Sequence, residues 1–299
     1  MSSTIVDAGL QREVAAVFAA EKTVEGGGFP VRRPFPTARV RELDPFLLLD
    51  EMGPVNWGPG EALGAPEHPH RGFETVTYLL AGKLEHRDSQ GNVGRLGAGD
   101  VQWMTAGAGV LHSELPEPEF KRQGGVLHGV QVWVNLPARD KMMLPRYQDV
   151  AAARIPVVSS ADGRAQVRVI AGEAMGRTAV IDTRTPIQYL HYTLQPGATV
   201  EQAVPAAFNA LVYLLSGTVQ LGSAATPVSS GELARLHSGE VLRLHVPDHA
   251  AAPADLLLLG GVPLHEPVAR YGPFVMNTAA EIEQALQDYR AGRIGGALP

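Results

Sequence analysis

Two short strings hold the residues best suited to chemistry: His68-Pro69-His70 and His112-Ser113-Glu114. In a strand, residues two apart point to the same face, so each string offers two donors on one side. Two such strands lying together bring three imidazoles and one carboxylate around a single point. Neutral imidazole suits zinc, copper, iron and nickel, and a carboxylate oxygen completes a three-nitrogen, one-oxygen set. Four protein ligands on an ion that accepts five or six leave positions for substrate or dioxygen. The competing reading makes these ordinary strand residues, solvated or hydrogen-bonded in the core. The segment Gly107-Ala108-Gly109-Val110-Leu111-His112 argues against it, because its glycines allow a tight turn that delivers His112 into the next strand.

Other polar residues are weaker candidates. Glu74 shares the parity of His68 and His70 if the strand is unbroken, so parity alone does not decide which carboxylate is the ligand. His86 has the same parity and reads as a hairpin-end histidine beside Ser89-Gln90-Gly91-Asn92. His128 reads as structural, and Trp103, Trp133 and Tyr78 as core. Ser113 is a poor nucleophile candidate, since neighbours in a strand face opposite ways. Gly107-x-Gly109 lacks the third glycine of a dinucleotide loop, and no Walker loop, Gly-x-Ser-x-Gly elbow or His-Glu-x-x-His helix occurs.

The elements that must position these donors are short and β-prone. Thr75 to Leu80, Val126 to Leu136, Ala165 to Ile170, Tyr189 to Leu194, Leu211 to Leu215 and Leu256 to Leu259 are separated by frequent Gly and Pro. That pattern predicts an all-β sandwich or barrel. The clearest helix begins at Thr278, which can cap it, with Glu281 three residues on. Ile282, Ala285 and Leu286 follow at helical spacing and Gly292 can end it. A short helix is also expected over residues 10 to 20.

The chain repeats itself. Phe73-Glu-Thr-Val-Thr-Tyr-Leu-Leu-Ala-Gly82 aligns with Phe208-Asn-Ala-Leu-Val-Tyr-Leu-Leu-Ser-Gly217 at an offset of 135 residues. Two copies of one β-fold follow from this. The expected division is a metal-binding domain over 1–137, a connector over 138–164 and a metal-free domain over 165–299 that carries the C-terminal helix. At the same offset His68, His70 and Glu74 become Ala203, Pro205 and Asn209. The copy keeps the apolar pattern and loses the donors, so the fold itself does not require them.

Composition narrows the class. The 299 residues include no cysteine, which excludes disulfides, thiolate metal sites and cysteine nucleophiles. A net charge of −6 is a poor match for nucleic acid as direct partner. Apolar runs are far shorter than the roughly 20 residues a bilayer requires. Val14 to Ala20 is apolar, but Asp7 and Glu13 precede it and no basic region does. No secretory signal is therefore expected, and the expected location is cytoplasmic.

At this point the strings become recognisable. His68-x-His70-x3-Glu74 resembles the first cupin motif. Gly107-x-Gly109-x2-His112 resembles the second, with Gly107 where many cupins carry proline. The longer strings His68–Gly82, Asp100–Glu114 and Gln131–Pro137 resemble the pirin family. Glu266–Thr278 is similar to its C-terminal signature. The resemblance runs from about residue 25 to residue 292. It implies two cupin (jelly-roll) β-barrels facing each other, with one metal ion in the N-terminal barrel. The metal of that family is usually iron, expected here as Fe(II), held by His68, His70, His112 and Glu114. Glu74 then becomes a partner that orients a ligand imidazole.

The resemblance also implies an activity. Bacterial and animal members are associated with quercetin 2,3-dioxygenase activity, so flavonol and dioxygen are the expected substrates. Glu114, or a nearby carboxylate such as Glu74, is the expected base for the flavonol 3-hydroxyl. The alternative implied by the same family is a non-enzymatic, iron-dependent co-regulator that docks on a protein partner.

Overall fold

The structure is a computed structural model, and it describes residues 10–295. The chain divides into two compact units. One takes residues 21–154 and returns to take the segment from Leu264 onward; it holds the histidine strings. The other takes Ile155–Pro263 together with the N-terminal segment up to Ala20.

Each unit pairs a seven-stranded antiparallel sheet with a four-stranded one. In the histidine-bearing unit the larger sheet runs Arg146–Val150, Val101–Thr105, Phe73–Ala81, Gly125–Asn135, Phe46–Trp57, Phe29–Phe35, Glu21–Glu25. Its smaller sheet runs Ala65–His70, Val110–Pro116, Leu84–Asp88, Val93–Leu96. The second unit repeats this order. Val14–Ala19, Glu232–Leu236, Asn209–Ser216, Ala254–Gly261, Ile187–Leu194, Ala165–Ala171 and Val157–Ser159 form its larger sheet. Thr199–Ala203, Val241–His245, Thr218–Leu221 and Thr226–Ser229 form the smaller.

The apolar alternation explains the pairing of sheets. In the second unit, Leu190, Tyr192, Val212, Leu214, Leu256 and Leu258 from the larger sheet meet Val200, Val219, Leu242 and Leu244 from the smaller in one core. Each such side chain contributes about 1.5–3 kcal/mol on burial, which sets the strand register, because a one-residue slip would turn the whole set outward.

Two expectations change. The stretch 10–20 holds a strand, Val14–Ala19, where a helix was expected; it pairs antiparallel with Glu232–Leu236. Val14, Val17 and Phe18 suit a strand, and the unpaired edge beside them supplies hydrogen-bond partners that a short isolated helix lacks. The domain boundaries also move. Residues 138–164 are no connector: Arg146–Val150 extends one large sheet and Val157–Ser159 the other. Val14–Ala19 and Arg146–Val150 fill the same edge position in the two copies, so each copy draws that strand from outside its repeat.

The C-terminal helix forms as expected but belongs with the histidine-bearing unit. It spans Ala279–Arg290 with the full Thr278–Glu281 capping box. Ile282 and Ala285 pack with Phe274, Met276 and Ile294, against Leu111. The Arg71 guanidinium donates to the Asp288 carboxylate at 2.7 Å and, through Nε, to the Ala108 carbonyl at 2.6 Å. A 135-residue offset cannot reveal this return, since it follows the second copy.

Candidate metal centre

His68 and His70 lie on the strand Ala65–His70, and His112 lies on its antiparallel neighbour Val110–Pro116. The register sets His112 opposite His68 and Val110 opposite His70. Pairing one strand to the other therefore brings the imidazoles together. Gly107 makes the approach: its φ is +50°, and a Cβ there would collide with the Met143 carbonyl. The turn in the sequence thus needs glycine both for dihedral angle and for space.

The ligand atoms of His68, His70 and His112 lie within 4.8 Å of one another, the one such group found among the described residues. His70 and His112 are buried at 2% and 1% exposure. His68 Nδ1 lies 2.7 Å from the Pro66 carbonyl, an acceptor, so that nitrogen carries the proton and Nε2 presents a lone pair. His68 Nε2 and His70 Nε2 are 3.0 Å apart. His112 Nδ1 lies 2.8 Å from His86 Nε2, while His112 Nε2 is buried with no hydrogen-bond partner. An orphaned imidazole nitrogen beside two others is costly in an apolar wall. A cation shared by the three Nε2 atoms removes that cost, so the residues fit a d-block ion.

Electrostatics agree. Burial pushes His70 well below the ordinary histidine value, and the neighbouring His112 and His68 push it further; Glu114 opposes them. Burial does the same to His112, aided by His68 and His86. His70 and His112 are thereby kept neutral, the state in which imidazole binds metal.

The two carboxylates are placed differently. Glu114 stands outside the close trio. Its Oε1 accepts from Thr77 Oγ1 at 2.7 Å and its Oε2 from Gln131 Nε2 at 2.9 Å. Its charge is still felt at His70 and His86. Glu74 is 1% exposed and accepts from Thr105 Oγ1 at 2.6 Å.

Sequence reasoning underrated His86. The residue lies in the middle of a hairpin strand, Leu84–Asp88 paired with Val93–Leu96, and not at its end. It is also 2% exposed and set against His112, with Glu114 its partner in the strand register. Parity was the sole signal for this. His128 is structural as expected, with Nε2 at 2.9 Å from Glu51 Oε1.

A cavity of about 500 Å³ opens on the imidazoles, lined by His68, His70, Leu48, Trp133 and Arg270 among others. Trp133 packs edge-on to His70, ring centroids 5.2 Å apart. The Arg270 guanidinium sits 4.8 Å over the Trp133 ring. Trp133 Nε1 donates to Gln131 Oε1 at 3.2 Å, so one chain of bonds links the aromatic wall to Glu114.

A family model described as pirin matches residues 28–134, and one described as the pirin C-terminal cupin domain matches residues 189–295. The chain belongs to the pirin family. Its two β-units are cupin domains, as the sequence implied. A pirin-like protein of Solanum lycopersicum is 44% identical over 91% of this chain and 89% of its own length. Homo sapiens pirin is 41% identical over 96% of this chain and 95% of its own. The crystal structure of quercetin 2,3-dioxygenase from Acinetobacter baumannii superposes with a TM-score of 0.89 at 38% identity, covering 96% of this pirin-family chain and 99% of that one. No helix among the described residues is long and apolar enough to cross a membrane.

Proposed function

We propose that this chain is a metal-dependent dioxygenase that opens flavonols of the quercetin type, with Fe(II) as its working ion. The observation that carries the reading is the buried, unpartnered Nε2 of His112, set beside His68 and His70, which line a cavity together with Trp133 and Arg270. The similarity to the Acinetobacter baumannii quercetin 2,3-dioxygenase supports the substrate class.

His68, His70 and His112 would hold the ion, with Glu114 as fourth ligand. Bound there, the ion supplies Lewis acidity toward the substrate oxygen and a route for electrons to dioxygen. The residues do the rest. Glu114 takes the proton of the flavonol 3-hydroxyl, and Gln131 and Thr77 stabilise its carboxylate by donating to it. Trp133, covered by Arg270, forms one wall of the cavity, and Arg270 attracts the anion that deprotonation leaves. Glu74, which accepts a hydrogen bond from Thr105, would act as a buried polar partner behind the ligands. Flavonol plus dioxygen gives a ring-opened product and carbon monoxide, which balances without a further reductant.

Iron-loaded protein prepared without air, then mixed with quercetin and dioxygen, is expected to release carbon monoxide, while His70→Ala is expected to release none. Equal rates in the two proteins, or no carbon monoxide from the wild type, would remove the reading. An iron-dependent protein partner captured in the absence of turnover would favour the co-regulator alternative.

A further inference from the structure

The second cupin keeps a cavity where the first holds its imidazoles. Strand register makes the correspondence specific. His68 faces His112 across the small sheet of the first domain, and Ala203 faces Val241 across the small sheet of the second. Trp133 faces Thr75 and Leu48, and Gly260 faces Ala210 and Gln188. In the second domain the three histidines are thus replaced by Ala203, Pro205 and Val241, the tryptophan by Gly260, and Leu48 by Gln188. Large side chains became small at one end of the barrel, yet the space did not close. A cavity of about 650 Å³ remains there, lined by Gln188, Ala203, Pro205 and Phe208 among others. Its size is in the range of ordinary small-molecule sites.

Gln188 is the unusual residue. It is 5% exposed. Its Nε2 donates to the carbonyls of Ala203 at 3.0 Å and Glu173 at 3.3 Å, which fixes the orientation of the amide. Its Oε1 is then left buried with no hydrogen-bond partner. An acceptor in that state costs about 1–3 kcal/mol unless something donates to it. Gly260 lets Phe208 and the Gln188 amide lie close over the backbone: a Cβ there would stand 3.5 Å from Gln188 Oε1 and 3.2 Å from the Phe208 ring. The ionisable lining residues are Glu173, Asp182 and Glu240, with no lysine, arginine or histidine among them.

We propose that this cavity is a second ligand site, which takes a small ammonium compound with a compact apolar body, its N–H donating to Gln188 Oε1. Phe208 and Val204 receive the apolar body, and the acidic lining favours the positive charge and disfavours anions. The site needs no metal and does not depend on the proposed dioxygenase activity.

Benzylamine is a suitable probe, with benzyl alcohol and benzoate as neutral and anionic counterparts. Titration of the full-length protein is followed by amide-resolved NMR. Benzylammonium is expected to saturate and to shift the Gln188 side-chain amide and the Gly260 backbone amide. Benzoate is expected to bind at least about tenfold more weakly. Gln188→Leu should lower benzylammonium affinity by about tenfold, and Gly260→Ala should lower it too by narrowing the cavity. Metal content of the first domain should be unchanged in both variants. No saturable shift at Gln188 and Gly260, benzoate binding as well as benzylammonium, or unaltered affinity in folded Gln188→Leu would each overturn the proposal.

Discussion

His86 Nε2 lies 2.8 Å from His112 Nδ1, and both rings are buried. The contact fixes the ring plane of His112 and reserves its Nε2 for the cluster with His68 and His70. Partners of this kind typically govern metal affinity by 10–100-fold. His86→Phe keeps the bulk and removes the bond. Its metal affinity, measured by competition with a chromogenic chelator, should fall by about 10–100-fold with little change in melting temperature. Unchanged affinity would mean that His112 is oriented by packing alone.

Glu114 is held by Thr77 and Gln131 rather than by the histidines. If it serves as base and fourth ligand, Glu114→Gln should lose turnover by at least about a hundredfold, while the three-histidine cluster still retains metal with reduced affinity. Gln131→Leu should give a milder loss, because it frees one carboxylate oxygen and unties Trp133. Steady-state rates and metal stoichiometry on the same samples separate the two effects. Wild-type rates in Glu114→Gln would exclude it from the chemistry.

The C-terminal helix is clasped to the histidine turn through Arg71 and Asp288. Burial raises the Asp288 pKa, but hydrogen bonds from Arg71, Arg293 and Gln284 outweigh it and bring the value to about 2 from an ordinary 3.8. A depressed carboxylate adds stability above its unfolded value and loses it as pH falls, here between 3.8 and 2. Asp288→Asn should therefore destabilise at neutral pH, by up to about 2 kcal/mol for a shift of this size, and the gap to wild type should shrink as pH drops through that window. Denaturant midpoints measured from pH 6 downward check this; a gap independent of pH would contradict it.

Lys141 shows the same direction of shift at the alkaline end. It is 1% exposed, and its Nζ donates to the Gly72 and Val275 carbonyls and to Asn135 Oδ1. Burial lowers its pKa to about 8 from 10.5, with Glu266 and Glu281 opposing. Between these values the unfolded chain binds more protons, so stability rises with pH from 8 to 10.5. Relative to Lys141→Met, which cannot titrate, wild type should gain up to about 3 kcal/mol across that interval. A flat difference would mean that the three acceptors hold the ammonium charged throughout.

Much of the site was legible because it depends on parity. His68, His70 and His112 needed only two strands and a glycine turn, and all three meet. The repeat at Phe73 and Phe208 exposed two copies of one fold, and five of the six apolar runs fall wholly within strands, the sixth, Val126 to Leu136, overrunning its strand by one residue. What escaped depends on long-range pairing. Val14–Ala19 is a strand only because Glu232–Leu236 offers an edge. The C-terminal helix carries its capping box in sequence, but its docking on Arg71 spans 217 positions and leaves no local mark. His86 looked like a turn residue because its neighbours are turn residues; the register with Glu114 is what turns it inward.

The central claim is that three imidazoles share one ion. Metal analysis with X-ray absorption on freshly purified protein tests it most directly, alongside a His68→Ala, His70→Ala double variant. The account predicts about one transition ion per chain with a nitrogen-rich first sphere in the wild type, and its loss in the folded double variant. Equal metal in both proteins, or a sphere without imidazole nitrogen, would contradict it.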